Sequence, residues 1–530
     1  MMRKCSLGLL SIFALAVLSS CPSPNTQSIL GVGGEVFDLS ATSVLHLDFK
    51  TYEALDVTLA NPPQGILYLG KSNLSSQAAP SADTGSAVIR ETASLETGFL
   101  MDKPWRSDLL KSLPQESKSI SAKSAAVPFG DPNPLYTLDE TEKNFWIEVK
   151  DEWKLITAKL RYVSHTAYIW IPESYYNPNT LSILNNDNLL TKSQIDDLGN
   201  RFSGTDPWTG TGIRALLANL YDVEWGGEPG GNGGIDGDQH INILLYDLEE
   251  DYQISQTGGL LGYFWPYDEY SSATALIRGV RSNEAEMFYL DVHFADRFPA
   301  IMRSTLAHEY QHMIHWNKKK SHGQIWFDEM LSMIGEEFVE SYIEVPQQES
   351  VRSTRLSQFK TSYHESGITD WLADAPLKSY ASAFAFGAYL SRNFGGVELL
   401  KFLGESSESG ITAINQGLAA VGVSKDFDAI SRDYTSAFVL KNPPPSGGYS
   451  FPALRQSLGG VEYSVPAFSL PEIGSSDLKI FPAPEQVSLR PYGQSIHTRE
   501  AWNNPFHGQT LRITRPESED VSLSLIFSRP

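Results

Sequence analysis

His308, Glu309 and His312 stand in the pattern His-Glu-x-x-His, inside the run Leu306-Ala307-His308-Glu309-Tyr310-Gln311-His312. In a helix the two imidazoles lie four residues apart, a little over one turn, on one face, with the carboxylate of Glu309 beside it. Two neutral nitrogen ligands next to a carboxylate is what metal-assisted hydrolysis needs. The histidines hold a zinc ion, and the glutamate is the base for the water that the ion activates. A catalytic zinc keeps three protein ligands and one open position, so a third ligand must be found. His315 is near, but it lies about 10.5 Å along the helix axis from His308, too far for three such side chains to converge on one ion. Its spacing also fails the longer pattern HExxHxxGxxH, which needs glycine at His315 and histidine at Lys318. Glu329 is better placed. It follows a loop at the start of the next helix, which can fold back and present a carboxylate to the metal.

The segment around it, Trp326-Phe327-Asp328-Glu329-Met330-Leu331-Ser332, resembles the W-x-N-E-G/A-x-S/A segment of gluzincin metallopeptidases, whose glutamate is the third zinc ligand. The likeness is closest to the bacterial hyicolysin family and more distant to the leukotriene-hydrolase and aminopeptidase group. It covers roughly residues 145–440, with Ile235-Asp236-Gly237-Asp238 leading into one strand, Ser282-Asn283 before the next, and a helical run ending at Phe438. Departures are Asp328 where Asn is usual, Met330 where a small residue is usual, and His315 where Asn is usual. The bulk of Met330 bears on substrate access. The resemblance implies an α+β, thermolysin-like zinc metallopeptidase domain, a mixed sheet above a mainly helical lower half, flanked by small β-rich regions. It also implies that a tyrosine after the second helix donates to the oxyanion, in the context Y-x-x-G-x-x-x-x-x-Y-L. Tyr380, with Tyr389-Leu390, matches the tyrosine spacing but not the glycine. A catalytic phenol and a core tyrosine on an apolar helix both fit it. Glu336, two turns beyond Glu329 on the same face, either orients a histidine ligand through its free ring nitrogen or is a solvated carboxylate beside Glu337 and Glu340. The G-x-M-E-N segment with which aminopeptidases anchor a substrate amine is absent, which favours an endopeptidase. Glu284 and Glu286 stand near that place and keep exopeptidase activity open.

The elements that must position these residues read as follows. A helix begins near Pro299, a favourable first-turn residue, and runs to about Lys319, ended by Lys320-Ser321-His322-Gly323. A second helix begins near Trp326, with Phe327, Met330, Leu331, Ile334 and Phe338 on its apolar face. Helical patterns continue from Tyr380 through Leu440. Upstream, Thr191-Lys192-Ser193-Gln194 opens a helix running to Phe202 with a capping box. Leu160 to Ile171 reads as one buried strand with His165 as a core histidine, and Ile241 to Leu248 as another. Ser282 to Val292 is a third, and its part from Asn283 to Asp291 is expected to pair with an extended substrate. In the glycine-rich stretch Gly226 to Asp238, the oxygens of Asn232, Asp236 and Asp238 have calcium-like spacing without the distal glutamate of an EF-hand. A calcium ion and a solvated turn are the two readings.

The ends of the chain speak to location. Arg3-Lys4 precede the apolar run Leu7 to Leu18, and Leu18-Ser19-Ser20-Cys21 resembles a bacterial lipobox, implying cleavage before Cys21 and acylation of its thiol. The other reading is an ordinary signal peptide. Cys5 and Cys21 are the two cysteines, so neither disulfides nor thiolate ligands are expected in the mature protein. The expectation is an exported bacterial lipoprotein, membrane-anchored on the periplasmic or cell-surface face. Its expected divisions are the signal at 1–21, a small β module at 22–71, a linker or pro-segment at 72–140, the peptidase domain at 141–440, and a β-rich domain at 449–530. Lys+Arg 41 against Asp+Glu 63 gives a net charge of -22, which repels phosphate backbones and argues against nucleic-acid partners. Protein or peptide substrates are the expected partners. A surface-displayed binding protein or adhesin with a vestigial or structural zinc site is the competing reading. Glu309 argues against it, because a structural site has no use for a base.

Overall fold

A computed structural model describes residues 32–79, 135–178, 189–204, 210–253, 258–320, 324–440, 448–470, 487–498 and 502–530. Cys21 and the leader, most of the 72–140 stretch, and all of the Lys441-to-Gly448 linker except its last residue lie outside them.

The chain opens with four strands, β1 (Val32–Asp38), β2 (Val44–His46), β3 (Ala54–Ala60) and β4 (Ile66–Asn73). Next come β5 (Glu142–Val149), β6 (Glu152–Val163), β7 (Ala167–Ile171) and the short pair β8 (Tyr176–Asn177) and β9 (Leu190–Thr191). Helix α1 (Lys192–Ser203) starts at the expected capping box, Thr191 accepting from the Gln194 backbone and the Gln194 side chain accepting in return. Then follow α2 (Ile213–Leu220), β10 (Ile241–Tyr246), β11 (Gly262–Phe264), α3 (Ser272–Ile277), β12 (Met287–Asp291) and α4 (Val292–Arg297). The helical half comprises α5 (Pro299–Lys319), α6 (Ile325–Ile343), α7 (Val351–Ser362), α8 (Pro376–Asn393), α9 (Val397–Glu405), α10 (Gly410–Ala420) and α11 (Phe427–Tyr434). Among the described residues, β13 (Leu454–Leu458), β14 (Val461–Val465), β15 (Gln494–His497), β16 (Thr510–Thr514) and β17 (Val521–Ser528) follow. The architecture is mixed α+β.

The central sheet has the order β11-β12-β10-β7-β6-β5. Strands β12, β10 and β7 run parallel, whereas β11 pairs antiparallel with β12 at the edge. Period-two alternation sorts the side chains. Ile169, Ile171, Ile243, Leu245, Phe288 and Leu290 pack against the helices, while Tyr168, Trp170, Leu244, Met287 and Tyr289 form a second core on the opposite face. Strands buried on both sides read as continuous apolar runs, as INILLY does. Two expectations are corrected here. Leu160 to Ile171 is not one strand but parts of β6 and β7, joined by a turn at Ser164-His165-Thr166. The turn carries neither Gly nor Pro. It is closed by the Ser164 hydroxyl, which accepts from the amides of Thr166 and Ala167 at 3.1 and 3.0 Å. His165 therefore lies half-buried in a turn. The stretch Asn283 to Asp291 is not open to a substrate strand, because β12 is paired on both sides; the edge strands of this sheet are β11 and β5.

The strands at the two ends of the chain pair with one another. One sheet has the order β1-β3-β16 and the other β15-β4-β17-β2, around a core that includes Phe37, Leu55, Val57, Leu525 and Phe527. The sequence reading set these apart as an N-terminal module and a C-terminal domain. This unit is fastened to the helical half near α11. His46 Nε2 lies 2.9 Å from Asp433 and its Nδ1 2.7 Å from Ser524, and Ser72 meets Thr435 at 2.7 Å.

Helices α5 and α6 form the antiparallel pair that matters for chemistry. The stretch Ala300 to Trp316 is buried almost throughout, so α5 is a core helix surrounded on all sides rather than an amphipathic surface one. Met330 is buried against α8. A Cβ at Gly387 of α8 would sit 2.6 Å from Met330 Cγ and 2.8 Å from Ile334 Cγ1, so the bulk is absorbed at the α6–α8 contact by a glycine. Gly387→Ala is therefore expected to destabilise the fold by about 1–3 kcal/mol through overpacking, seen as a lower Tm. Part of that loss is expected to vanish in a Met330→Ala background, since contacting residues are non-additive, while the approach to Ile334 remains. Additive losses would refute the contact.

Candidate metal centre

The start of α6 lies back alongside the middle of α5. His308 Nε2 lies 3.1 Å and His312 Nε2 3.8 Å from Glu329 Oε2. One donor atom from each of these three residues falls within 4.8 Å of the others. The rings of His308 and His312 sit 4.7 Å apart at 77°. Donors at about 2.0–2.2 Å around a tetrahedral zinc are roughly 3.4 Å apart, so the spacing fits such an ion. Among the described residues this is the single grouping of His, Cys, Asp and Glu with that property.

Each imidazole has a carboxylate at its other nitrogen. His308 Nδ1 is 2.8 Å from Glu336 Oε1, and His312 Nδ1 is 3.0 Å from Asp328 Oδ1. Such partners fix the ring and aim Nε2 inward. Of these two, Glu336 was a candidate from spacing, whereas Asp328 was noted only as a departure from Asn. His315 is not part of the ligand set; its Nδ1 lies 3.2 Å from the same Asp328 oxygen. Two of the three departures from the family pattern, Asp328 and His315, thus meet in space. Ser332 adds a contact of 3.3 Å to His312 Nδ1.

The electrostatics are those of a cation site. Burial works against a charged imidazole at both positions, yet the carboxylates outweigh it. Glu329 and Glu336 bring His308 up to about 10, and Asp328 and Glu329 bring His312 up to about 10. Positive charge, whether a proton or a metal ion, is what this cluster is built to hold.

Glu309, next to His308 on α5, is fully buried. A Cβ at Gly262, on the edge strand, would come within 3.0 Å of Glu309 Oε1 and 2.8 Å of Tyr289 O, so the strand passes directly over the carboxylate. The phenol of Tyr380, from α8, donates to Glu329 Oε1 at 3.3 Å, which brings it to the centre.

The glycine-rich stretch lies apart. Asn232 Oδ1 accepts from Gly234 N, Asp236 Oδ1 from Asp238 N, and Asp238 from His240 N and the Tyr168 hydroxyl. These oxygens close the loop itself, and burial raises Asp236 to about 7. Glu286 accepts from Ile235 N and Glu284 from Ser272 N, so both are engaged away from the metal cluster.

Two histidines, a glutamate across from them and a flanking carboxylate on paired antiparallel helices define the site of a metallohydrolase. The comparison with known families agrees: the sequence profile of the peptidase M30 family matches residues 193–515, and the chain belongs to that family. It is 28% identical over 253 residues to the neutral metalloprotease ShpI of Staphylococcus hyicus, covering 44% of this chain. It spans 47% of that relative, about half its length. A crystal structure of an aminopeptidase N family protein from Idiomarina loihiensis aligns over 73% of this chain and 67% of its own, at 10% identity and a TM-score of 0.25.

Proposed function

We propose that this protein is a zinc-dependent endopeptidase of gluzincin type, exported and held at a membrane by a lipid on Cys21. The observation that carries the catalytic part is the set of three convergent donors, His308, His312 and Glu329, with carboxylates behind both imidazoles and Glu309 beside them. The match to a relative named a neutral metalloprotease supports it. A zinc ion held there supplies Lewis-acid polarisation of a carbonyl and an acidified water.

The remaining steps fall to side chains and backbone. Glu309 accepts the proton of the attacking water and returns it to the leaving amine. Tyr380 releases Glu329 and donates to the carbonyl oxygen as it gains negative charge. The edge strand β11 offers backbone groups to an extended peptide, which lies along it above Glu309 as a further strand. Affinity through the backbone gives broad sequence tolerance and suits an endopeptidase. The leader pattern from Arg3 to Cys21 supports the lipid anchor.

The test is cleavage of casein by purified protein. Activity is expected to disappear with a chelator and return with stoichiometric zinc. Activity indifferent to chelation, or none at any zinc level, would sink the proposal.

A further inference from the structure

Arg355 is a buried cation in the helical half, 6% exposed, on α7. Its guanidinium carbon lies over the ring of Tyr380, 4.7 Å from the centroid. Trp371, in the connection between α7 and α8, meets the same ring at 5.0 Å and 75°. The phenol is thus gripped from two directions while its oxygen points at Glu329. Burial pulls Arg355 down, and the carboxylates that counter it are Glu336 and Glu329. Both belong to the metal cluster: Glu336 holds His308, and Glu329 Oε2 lies 3.1 Å from His308 Nε2 and 3.8 Å from His312 Nε2.

A guanidinium is costly to bury, and here it is placed over an aromatic ring, where its delocalised plane suits the π face better than a compact ammonium. Tyr380 must also do something geometrically demanding. Its hydroxyl bonds to Glu329 at a long 3.3 Å and has to transfer to an oxygen that becomes charged only during the reaction. A ring free to swing would place that donor correctly only part of the time, and misplacement of about 1 Å costs on the order of 100-fold in rate.

We propose that Arg355 is a positioning residue that acts through Tyr380, its guanidinium clamping the phenol ring so that the hydroxyl meets the developing oxyanion. This rests on the reading of the site as a peptidase with Tyr380 as donor.

A double-mutant cycle tests it, with kcat and KM measured on a quenched fluorescent peptide. Arg355→Met is expected to lower kcat by about 10- to 100-fold with zinc content and KM nearly unchanged. Tyr380→Phe is expected to fall in the same range, and the double variant to be no slower than Tyr380→Phe by more than about 2-fold. Arg355→Lys, which keeps the charge but not the plane, is expected between wild type and Arg355→Met, and it carries the cycle if Arg355→Met fails to fold. A second readout uses metal-free protein with 3-fluorotyrosine at position 380. One narrow fluorine resonance is expected with Arg355, and a broadened or split one in either variant. Wild-type kcat in Arg355→Met, losses that multiply in the double variant, or an unchanged fluorine line would each overturn the proposal. A wild-type protein without zinc-dependent activity would instead sink the peptidase reading, and the fluorine line would still decide whether Arg355 holds the ring.

Discussion

Glu309→Gln is expected to bind zinc as wild type does and to cleave casein about 10³- to 10⁴-fold more slowly. The substitution keeps the shape of the side chain and removes its capacity to take a proton. Glu309 is not among the convergent donors, so the metal should remain. Its carboxylate lies where the edge strand crosses the cluster, close enough that a side chain at Gly262 would crowd it, and a peptide paired to that edge would pass over it. An amide in that position still offers a hydrogen bond to the water, so binding of substrate should change little and the loss should appear in kcat. Zinc analysis beside steady-state kinetics decides the point. Wild-type kcat in this variant would mean that another group is the base; lost zinc would mean that Glu309 supports the ligands instead.

Local signals brought much of this site within reach of the sequence. The pattern from His308 to His312 fixes two ligands because a helix repeats every 3.6 residues. Pro299 and the lysines near 319 mark the ends of α5 where the structure has them, and the capping box at Thr191 opens α1 as read. What the sequence withheld depends on which elements become neighbours. Asp328 looks like a conservative change from Asn until α6 packs on α5 and sets it between His312 and His315. Arg355 carries no motif; only the packing of α7 against α8 puts it on Tyr380. Strand order is silent too. The run ending at Asp291 is apolar because it is interior, whereas the three-residue β11 is too short to give a periodic signal, yet it forms one edge of the sheet. The pairing of β4 with β15 and β17 joins residues more than 400 positions apart, and no local pattern reports it.

The second large effect expected is on metal binding. A four-ligand zinc site provides about 10–16 kcal/mol, so a single ligand is worth a factor of roughly 10²–10³ in affinity. Glu329→Ala should weaken zinc by that much and silence the enzyme at ordinary zinc concentrations. Excess zinc should restore little activity, because the open coordination geometry is changed as well as the affinity. Glu336→Gln provides the contrast. It leaves all three donors and disturbs only the ring of His308, where losses of about 10- to 100-fold are usual. Neither neighbouring group can replace Glu329 without rebuilding the helices. Asp328 contacts Nδ1 of His312, the nitrogen on the far side of the ring from the donor, and His315 contacts that same carboxylate oxygen. Both therefore lie behind His312 rather than in front of it. Competition titration of metal-free Glu329→Ala with a zinc-sensitive dye would measure the change, and an affinity equal to wild type would require a third ligand from a part of the chain that this geometry does not bring to the cluster.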